Sequence, residues 1–150
     1  EANLPRKKGM RILDLGCGSG ILSIAALTLG AASAAAVDID DKCLTVAYEN
    51  AALNGIGRDR YTVLVGDAVS DRALKAQLGG GYDIVVANIV ADVIIGLAPS
   101  VRQFLKPGGL FLCSGIIDTR ADEVADALRH AGWTIEDTRS GEGWYSYTCR

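Results

Sequence analysis

A strand pattern, a glycine-rich loop and a helix pattern follow one another near the start of this chain, and they limit its possible folds more than any other feature. The loop reads Asp14-Leu15-Gly16-Cys17-Gly18-Ser19-Gly20, between apolar patterns at 10–13 and 21–29. Because glycine has no Cβ, the backbone can turn sharply there and leave room for a ligand. Such a loop presents a ligand to a strand's carboxyl end and a helix N-terminus. Asp14 disfavours a phosphate ligand and favours one that carries positive charge.

Length and composition indicate one well-packed domain. The chain has 150 residues, of which 49% are hydrophobic, so we expect a buried core and no disorder over residues 1–150. The formal net charge of −3 is too acidic for a domain that binds nucleic acid mainly through its overall charge. The four cysteines lack metal-ligand spacing and there is a single histidine, so we expect free thiols in a reducing cytoplasm and no metal site. No stretch has the length and composition of a membrane span.

Short apolar strand patterns alternate with longer helical patterns along the chain. Strands are predicted at 11–15, 34–38, 61–65, 83–87 and 110–114, and helices at 20–29, 41–54, 71–78, 91–105 and 118–131. Pro99 predicts a kink or a break in the fourth helix, and residues 106–109 predict a turn. Two further strands, at 133–139 and 144–149, are joined by a hairpin turn at 140–143. The pattern predicts an α/β fold with a mostly parallel sheet, helices on both faces and an antiparallel last strand.

Polar residues follow three of the predicted strands, at ends that a parallel sheet brings to one edge. Asp38 lies about 20 residues beyond the glycine loop, where a carboxylate can accept both hydroxyls of a ribose. Asp67 follows the third strand, where it can accept a hydrogen bond from an exocyclic adenine amine. Asn88 follows the fourth strand and is predicted to face the same crevice from the other side. The sequence therefore predicts a nucleoside pocket at this edge.

With these motifs the chain resembles the class I, seven-stranded S-adenosyl-L-methionine-dependent methyltransferases. The resemblance implies a Rossmann-like mixed sheet of strand order 3-2-1-4-5-7-6, with S-adenosyl-L-methionine as cofactor and S-adenosyl-L-homocysteine as product. It assigns the amino-acid end of the cofactor to the glycine loop, the ribose to Asp38, and the adenine to Ile39, Asp67 and Ala68. The cofactor-binding residues it implies are Asp14, Gly16, Cys17, Gly18, Gly20, Ile21, Asp38, Ile39, Asp67, Ala68 and Asn88.

Longer stretches resemble one family within this class, the ribosomal protein L11 methyltransferases (PrmA). They are Leu13–Ala26, Val37–Asp40 and Tyr82–Asp92, with weaker support from Leu105–Gly109, Ser114–Ile117 and Gly143-Trp144. The resemblance covers nearly the whole chain and implies methylation of lysine side chains and of an α-amino group on that ribosomal protein. Because the family carries an N-terminal substrate-recognition domain, we expect residues 1–150 to be the catalytic domain alone.

Methyl transfer to an amine needs a neutral nitrogen in line with the methyl carbon and the sulfur. Deprotonation of a lysine ammonium with a pKa of about 10.4 costs roughly 4–5 kcal/mol at pH 7, and desolvation reduces this cost. No general base of the usual kind is evident in the sequence. We expect the side-chain oxygen of Asn88, with the backbone carbonyl of Ile89, to accept a hydrogen bond from the substrate nitrogen. Asn88 follows an apolar strand and resembles the first residue of the Asn-initiated motif of amine methyltransferases.

Other functions stay open on the sequence alone. They are a methyltransferase acting on RNA or a small molecule, a nicotinamide-binding domain, and a cofactor-binding remnant that serves as an interaction module. The Gly-x-Gly-x-Gly spacing and Asp14 disfavour a nicotinamide cofactor, whose fingerprint is Gly-x-Gly-x-x-Gly and whose pyrophosphate is anionic. Asp14, Asp67 and Asn88 can also be plain turn, loop or helix-capping residues. We expect a cytoplasmic monomer that acts on a protein and binds neither nucleic acid nor a membrane.

Overall fold

A computed structural model of the protein describes residues 9–16 and 18–150. Within these residues the strands are β1 (Arg11–Leu15), β2 (Ser33–Asp38), β3 (Tyr61–Val65), β4 (Tyr82–Asn88), β5 (Leu105–Ile117), β6 (Ile135–Gly141) and β7 (Trp144–Cys149). The α-helices are α1 (Ile21–Thr28), α2 (Lys42–Leu53), α3 (Arg72–Leu78), α4 (Ala91–Leu97) and α5 (Ala121–His130). Short 3₁₀ helices cover Val101–Phe104 and Asp118–Arg120.

The strands form one mixed sheet in the order β3-β2-β1-β4-β5-β7-β6. Neighbours from β3 to β5 pair in parallel, whereas β7 is antiparallel to both β5 and β6. The predicted fold class, strand order and antiparallel last strand are therefore confirmed. The parallel strands end at one edge of the sheet. The β6–β7 turn reaches the same edge, because Ile117 at the end of β5 pairs with Trp144 at the start of β7.

Two apolar cores cover the two faces of the sheet. Ile12 and Ile84 belong to the core under α1 and α2, whereas Leu13 and Val85 belong to the core under α3, α4 and α5. All four side chains are buried. Strands buried on both faces read as continuous apolar runs, which explains why β1 and β4 show little polar alternation. Among the described helices, none combines the length and apolar character needed to cross a bilayer.

The break expected at Pro99 is confirmed, and two turns differ from prediction. α4 ends at Leu97 and the chain continues as a 3₁₀ helix from Val101. The turn predicted at 106–109 lies inside β5, where it forms a wide irregularity between the parts of β5 that pair with Tyr82 and with Ile84.

The hairpin loop is shorter than the predicted segment 140–143. Strand pairing continues to Gly141 and Trp144, which leaves Glu142 and Gly143 as the loop. Their φ angles are 53° and 83°. Positive φ at both central residues is what a two-residue hairpin turn of type I′ requires.

Candidate active site

A cavity of about 460 Å³ lies where β1 to β4 end. Its volume falls within the range of roughly 300–1,000 Å³ typical of small-molecule sites. The lining comes from the ends of β1 and β2, the segments after β3 and β4, and one side of α4. The lining residues are Leu15, Gly16, Gly18, Val37, Asp38, Ile39, Gly66, Asp67, Ala68, Val69, Ile89, Asp92, Val93, Gly96 and Leu97.

The glycine loop forms one wall of this cavity and is tied to the end of β2. The N–H of Gly16 donates to the carbonyl oxygen of Val37 at 2.7 Å, and the N–H of Gly18 donates to Oδ2 of Asp38 at 2.9 Å. Both glycines have positive φ, 77° and 54°. A side chain at either position would strain the backbone, so the loop can adopt this conformation because residues 16 and 18 are glycines.

Gly20, the last glycine of the run, has a different role. A Cβ there would lie 2.8 Å from Oη of Tyr61 and 3.2 Å from Cβ of Ala47. Gly20 therefore permits α1 to begin close to α2 and β3, and it does not line the cavity. Ile21, the first residue of α1, is 69% exposed and does not line the cavity either. Cys17, also predicted to bind the cofactor, lies outside the described residues.

Asp38 connects three segments at the cavity wall. Its Oδ2 accepts from the N–H of Gly18, and its Oδ1 accepts from the N–H of Asp40 at 3.0 Å. Its carbonyl oxygen accepts from the N–H of Gly66 at 2.9 Å, beyond the end of β3. Each carboxylate oxygen can accept a second hydrogen bond. Asp38 is therefore held in place by the backbone and can still bind ligand hydroxyls.

The segments after β2 and β3 supply the next part of the lining. Oδ1 of Asp67 accepts from the N–H of Val69 at 2.8 Å, a local turn that aspartate commonly makes. Ala68 is buried, whereas Ile39 is 75% exposed although it contacts the cavity. Ile39 and Val69 thus offer apolar surface to a flat ring, with the carboxylate of Asp67 nearby.

Asp14 lies within β1 and is not among the residues that line the cavity. Its side chain is buried; Oδ2 accepts from Oγ of Ser23 at 2.8 Å. Among the described residues Oδ1 has no hydrogen-bond partner. Burial raises the pKa of this carboxyl to about 6, and the negative charge of Asp38 adds to the increase while Ser23 opposes it. The cavity therefore brings together two of the three predicted carboxylates, Asp38 and Asp67.

The two predicted catalytic residues lie on different sides of the end of β4. Ile89 lines the cavity, but the side chain of Asn88 is exposed and does not line it. Asn88 is paired with Ser114 of β5. Its Oδ1 lies 2.5 Å from where a Cβ on Gly115 would be. Asn88 is thus an outer neighbour of the cavity, on the β5 side.

Comparison with known proteins identifies the family. The profile of the family described as "Ribosomal protein L11 methyltransferase (PrmA)" matches residues 3–150. The chain belongs to this family. The curated ribosomal protein L11 methyltransferase of Agathobacter rectalis is 44% identical over 146 residues, 96% of this chain and 45% of the relative. That of Lachnoclostridium phytofermentans is 38% identical over 156 residues, 95% of this chain and 47% of the relative.

The chain spans about half the length of the curated relatives it matches. The crystal structure of a ribosomal protein L11 methylase from Lactobacillus delbrueckii subsp. bulgaricus is similar to the chain, with a TM-score of 0.85 and 34% identity. The match covers 95% of this chain and 70% of that one. Aeropyrum pernix fibrillarin, solved with natively bound S-adenosyl-L-methionine, has a TM-score of 0.78 over 98% of this chain and 69% of its own. At 18% identity this second likeness concerns the fold alone.

Sequence reasoning missed the contribution of α4 to the cavity of this PrmA-family chain. Asp92, Val93, Gly96 and Leu97 line the cavity from one side of that helix. Oδ1 of Asp92 also accepts from Nη2 of Arg120 at 2.6 Å, which ties α4 to the start of α5. Asp92 and Gly96 are four positions apart, as are Val93 and Leu97, so each pair shares a helix face, but no short motif marks these faces as part of a site.

The lining chemistry limits what the cavity can bind. Its ionisable side chains, within the part of the chain that the structure describes, are the carboxylates of Asp38, Asp67 and Asp92. Asp92 is paired with Arg120, so the carboxylates of Asp38 and Asp67 are the ones that favour a ligand with positive charge. Most other lining residues are apolar or glycine, which suits a flat ring with close backbone contacts. This cavity therefore fits a cationic nucleoside better than an anionic dinucleotide.

Proposed function

We propose that this chain transfers methyl groups from S-adenosyl-L-methionine to amine nitrogens of ribosomal protein L11, both lysine side chains and an α-amine. The observation that carries the proposal is the cavity between the glycine loop and α4, lined by the carboxylates of Asp38, Asp67 and Asp92. Family membership over residues 3–150 supports the same activity. The names of the curated relatives support ribosomal protein L11 as the acceptor.

The residues of the cavity suit the separate parts of the cofactor. Gly16 and Gly18 of the glycine loop line the cavity and would hold its amino-acid end. Asp38 would accept the ribose hydroxyls, because its oxygens keep free acceptor positions beside the loop. Ile39, Asp67 and Ala68 would contact the adenine. When bound, the cofactor supplies a methyl group on a positively charged sulfur, which a neutral amine can attack.

Asn88 and Ile89 would orient the acceptor. In this proposal the side-chain oxygen of Asn88 and the backbone carbonyl of Ile89 accept hydrogen bonds from the substrate nitrogen and aim its lone pair into the cavity. Asn88 is exposed at the cavity's outer side, where an amine from another protein can reach it. Holding reacting groups in line can lower a barrier by roughly 7–11 kcal/mol in the best cases, so orientation can replace a strong general base.

We propose that residues 1–150 act as the catalytic domain, as a monomer in the cytoplasm. Ribosomal protein L11 is the proposed partner, and direct binding of nucleic acid is not proposed because the chain carries a formal net charge of −3.

Two measurements on the purified chain test the proposal. Calorimetric titration with S-adenosyl-L-methionine, S-adenosyl-L-homocysteine and NAD is expected to give saturable binding of the first two and none of the third. Mass spectrometry of ribosomal protein L11 after incubation with the chain and the cofactor is expected to show added methyl groups on lysine and the α-amine. Binding of NAD alone would overturn the cofactor assignment. Cofactor binding with no methylation, also when the N-terminal domain of a family member is added, would favour the interaction module.

A further inference from the structure

An exposed apolar pair lies at the carboxyl edge of the sheet, beyond Asn88. Ile117, the last residue of β5, pairs with Trp144, the first residue of β7. Their exposed fractions are 46% and 54%. A tryptophan half exposed beside an isoleucine offers apolar surface together with an aromatic face that attracts cations. Tryptophan is enriched where proteins bind other proteins.

A shallow hollow beside Trp144 reaches the β5 residues that lie next to Asn88. It has a volume of about 270 Å³, and its lining includes Ser114, Gly115, Trp144 and Arg139, whose guanidinium is paired with Asp137. Ser114 is the strand partner of Asn88. Gly115 has a φ of 75°, and a Cβ on it would lie 2.5 Å from Oδ1 of Asn88. A side chain at 115 would therefore collide with Asn88, so glycine lets the side chain of Asn88 lie beside this part of the hollow.

The charges around the pair favour a cationic partner. Asp118 follows Ile117, and Glu142 lies in the turn before Trp144; among the described residues neither carboxylate forms an ion pair. The nearby guanidinium groups are already engaged. Nε of Arg139 contacts Asp137 at 2.9 Å, and Arg120 bonds to Asp92 and Glu123. The charge left to attract a partner is therefore negative.

The backbone holds this surface in place. The N–H of Asp118 donates to the carbonyl oxygen of Gly143 at 2.9 Å, which ties the end of β5 to the hairpin turn. Glu142 and Gly143 form a two-residue turn with positive φ, the type that fits the twist of paired strands. A surface built on paired strands loses little conformational freedom when a partner binds.

We propose that Ile117, Asp118, Glu142 and Trp144 form an acceptor platform that docks a positively charged segment of the substrate protein around the methylated lysine. The inference rests on the proposed function and adds the chemical class of the segment recognised. Ile117 and Trp144 cover apolar side-chain stems, and the two carboxylates pair with cations that flank the acceptor. The acceptor amine itself extends along the hollow to Asn88.

A peptide-binding experiment tests the platform independently of catalysis. A fluorescein-labelled peptide with one lysine flanked by further lysines is titrated with the full chain, and its anisotropy gives the Kd. A matched peptide carries glutamates at the flanking positions. Trp144→Ala is expected to weaken binding of the basic peptide roughly tenfold or more, as for a buried aromatic anchor. The double variant D118N/E142Q is expected to weaken it about threefold to fivefold at low salt, and less at high salt.

Matched controls lie on the outer side of α2. Leu53→Ala removes an apolar side chain that is 85% exposed, and Glu49→Gln removes an exposed carboxylate. Both variants are expected to bind the basic peptide as the unmodified chain does. Circular dichroism checks that each variant is folded. Because Asp118 and Glu142 are exposed, the charge variant tests the platform even if Trp144→Ala unfolds.

The outcomes separate the platform from the proposed function. Equal binding of the two peptides, or unchanged binding by both platform variants, overturns the platform. A dimer of the unmodified chain that Trp144→Ala converts to a monomer also overturns it, because the surface would then join two copies. In assays with ribosomal protein L11, platform variants that have a higher KM for that protein and an unchanged affinity for S-adenosyl-L-methionine support the platform. If the basic peptide binds through the platform but no methyl group is transferred, the platform is supported and the proposed function is refuted.

Discussion

Gly16 and Ile89 lie so close together that a Cβ on Gly16 would overlap Cγ2 of Ile89. Gly16 follows β1 and Ile89 follows β4, and these strands are paired neighbours. Both residues line the cavity. The contact therefore joins the glycine loop to the segment that carries the proposed acceptor-orienting groups, and it is possible only because residue 16 has no side chain.

Gly16→Ala is expected to reduce both stability and cofactor affinity. Gly16 has a φ of 77°, a conformation that costs a residue with a Cβ about 1–2 kcal/mol. Crowding against Ile89 adds about 1–3 kcal/mol, as for other overpacked sites. Urea unfolding followed by circular dichroism measures the stability, and calorimetry with S-adenosyl-L-methionine measures the affinity.

Gly55→Ala is the matched control for this substitution. Gly55 follows α2 with a φ of 73°, and a Cβ there would meet nothing within 4 Å. The control introduces the backbone strain without the collision. It should therefore lower the stability less than Gly16→Ala does and leave cofactor affinity unchanged. Equal losses of stability at the two positions would show that Ile89 moves aside freely.

Asp38→Ala is expected to weaken cofactor binding roughly tenfold to a hundredfold. A carboxylate that accepts hydrogen bonds from ligand hydroxyls contributes about 1.5–3 kcal/mol. The substitution also leaves the N–H of Gly18 without the oxygen that holds the loop. Calorimetry with S-adenosyl-L-methionine measures the change.

Asp40→Ala controls for loss of a nearby carboxylate. Oδ1 of Asp40 accepts from the N–H of Lys42 at the start of α2, and Asp40 does not line the cavity. Its loss removes one hydrogen bond at the start of α2, which should cost about 1 kcal/mol of stability, with little effect on cofactor affinity. A stronger effect on affinity at Asp40 than at Asp38 would move the ribose role to Asp40.

Much of the fold is predictable because local patterns and tertiary structure agree. The strand predicted at 61–65 is β3, and the strand predicted at 83–87 is β4, whose apolar residues 84–87 pack into the cores on both faces of the sheet. The segment 106–109 is different, since its Pro and Gly residues predict a turn while strand pairing resumes beyond them at Leu110. Local turn signals cannot reveal that β5 pairs with β4 both before and after this segment.

Side-chain direction limits what the sequence predicts about the site. Asp38 and Asp67 share the cavity because parallel strands end at one edge of the sheet. Burial of Asp14 within β1, and exposure of Asn88 outside the cavity, depend on which way each strand's last side chains face. The α4 residues enter the lining through the packing of that helix on the sheet, which no short motif encodes.

Asn88→Ala is expected to lower the rate of methyl transfer without changing cofactor affinity. Asn88 does not line the cavity, so its proposed contacts are with the acceptor amine. Loss of a group that orients a reacting atom typically costs roughly 10- to 1,000-fold in rate. Turnover with ribosomal protein L11 measures the effect, with exposed Asn54→Ala as control. A fall in rate below about threefold would remove Asn88 from the proposed mechanism.

Asp14→Asn is expected to change how stability depends on pH. Burial raises the pKa of Asp14 from 3.8 to about 6, so the folded state holds this proton more tightly than the unfolded state. The resulting stabilisation is complete below about pH 4 and is lost as the pH rises through about 6. Because one pKa unit corresponds to about 1.4 kcal/mol, the free energy of unfolding should fall by about 3 kcal/mol over this window relative to Asp14→Asn.

Ser23→Ala is expected to raise the pKa of the Asp14 carboxyl further. The hydrogen bond from Oγ of Ser23 stabilises the ionised form of Asp14 and lowers its pKa. Without that bond the pKa should rise further, so the loss of stability should extend to higher pH than in the unmodified chain. Urea unfolding at several pH values between about 4 and 8 compares the three proteins. Parallel curves for the unmodified chain and Asp14→Asn would mean that Asp14 is ionised in the folded protein across this range, and that its unpartnered oxygen is solvated or paired in solution.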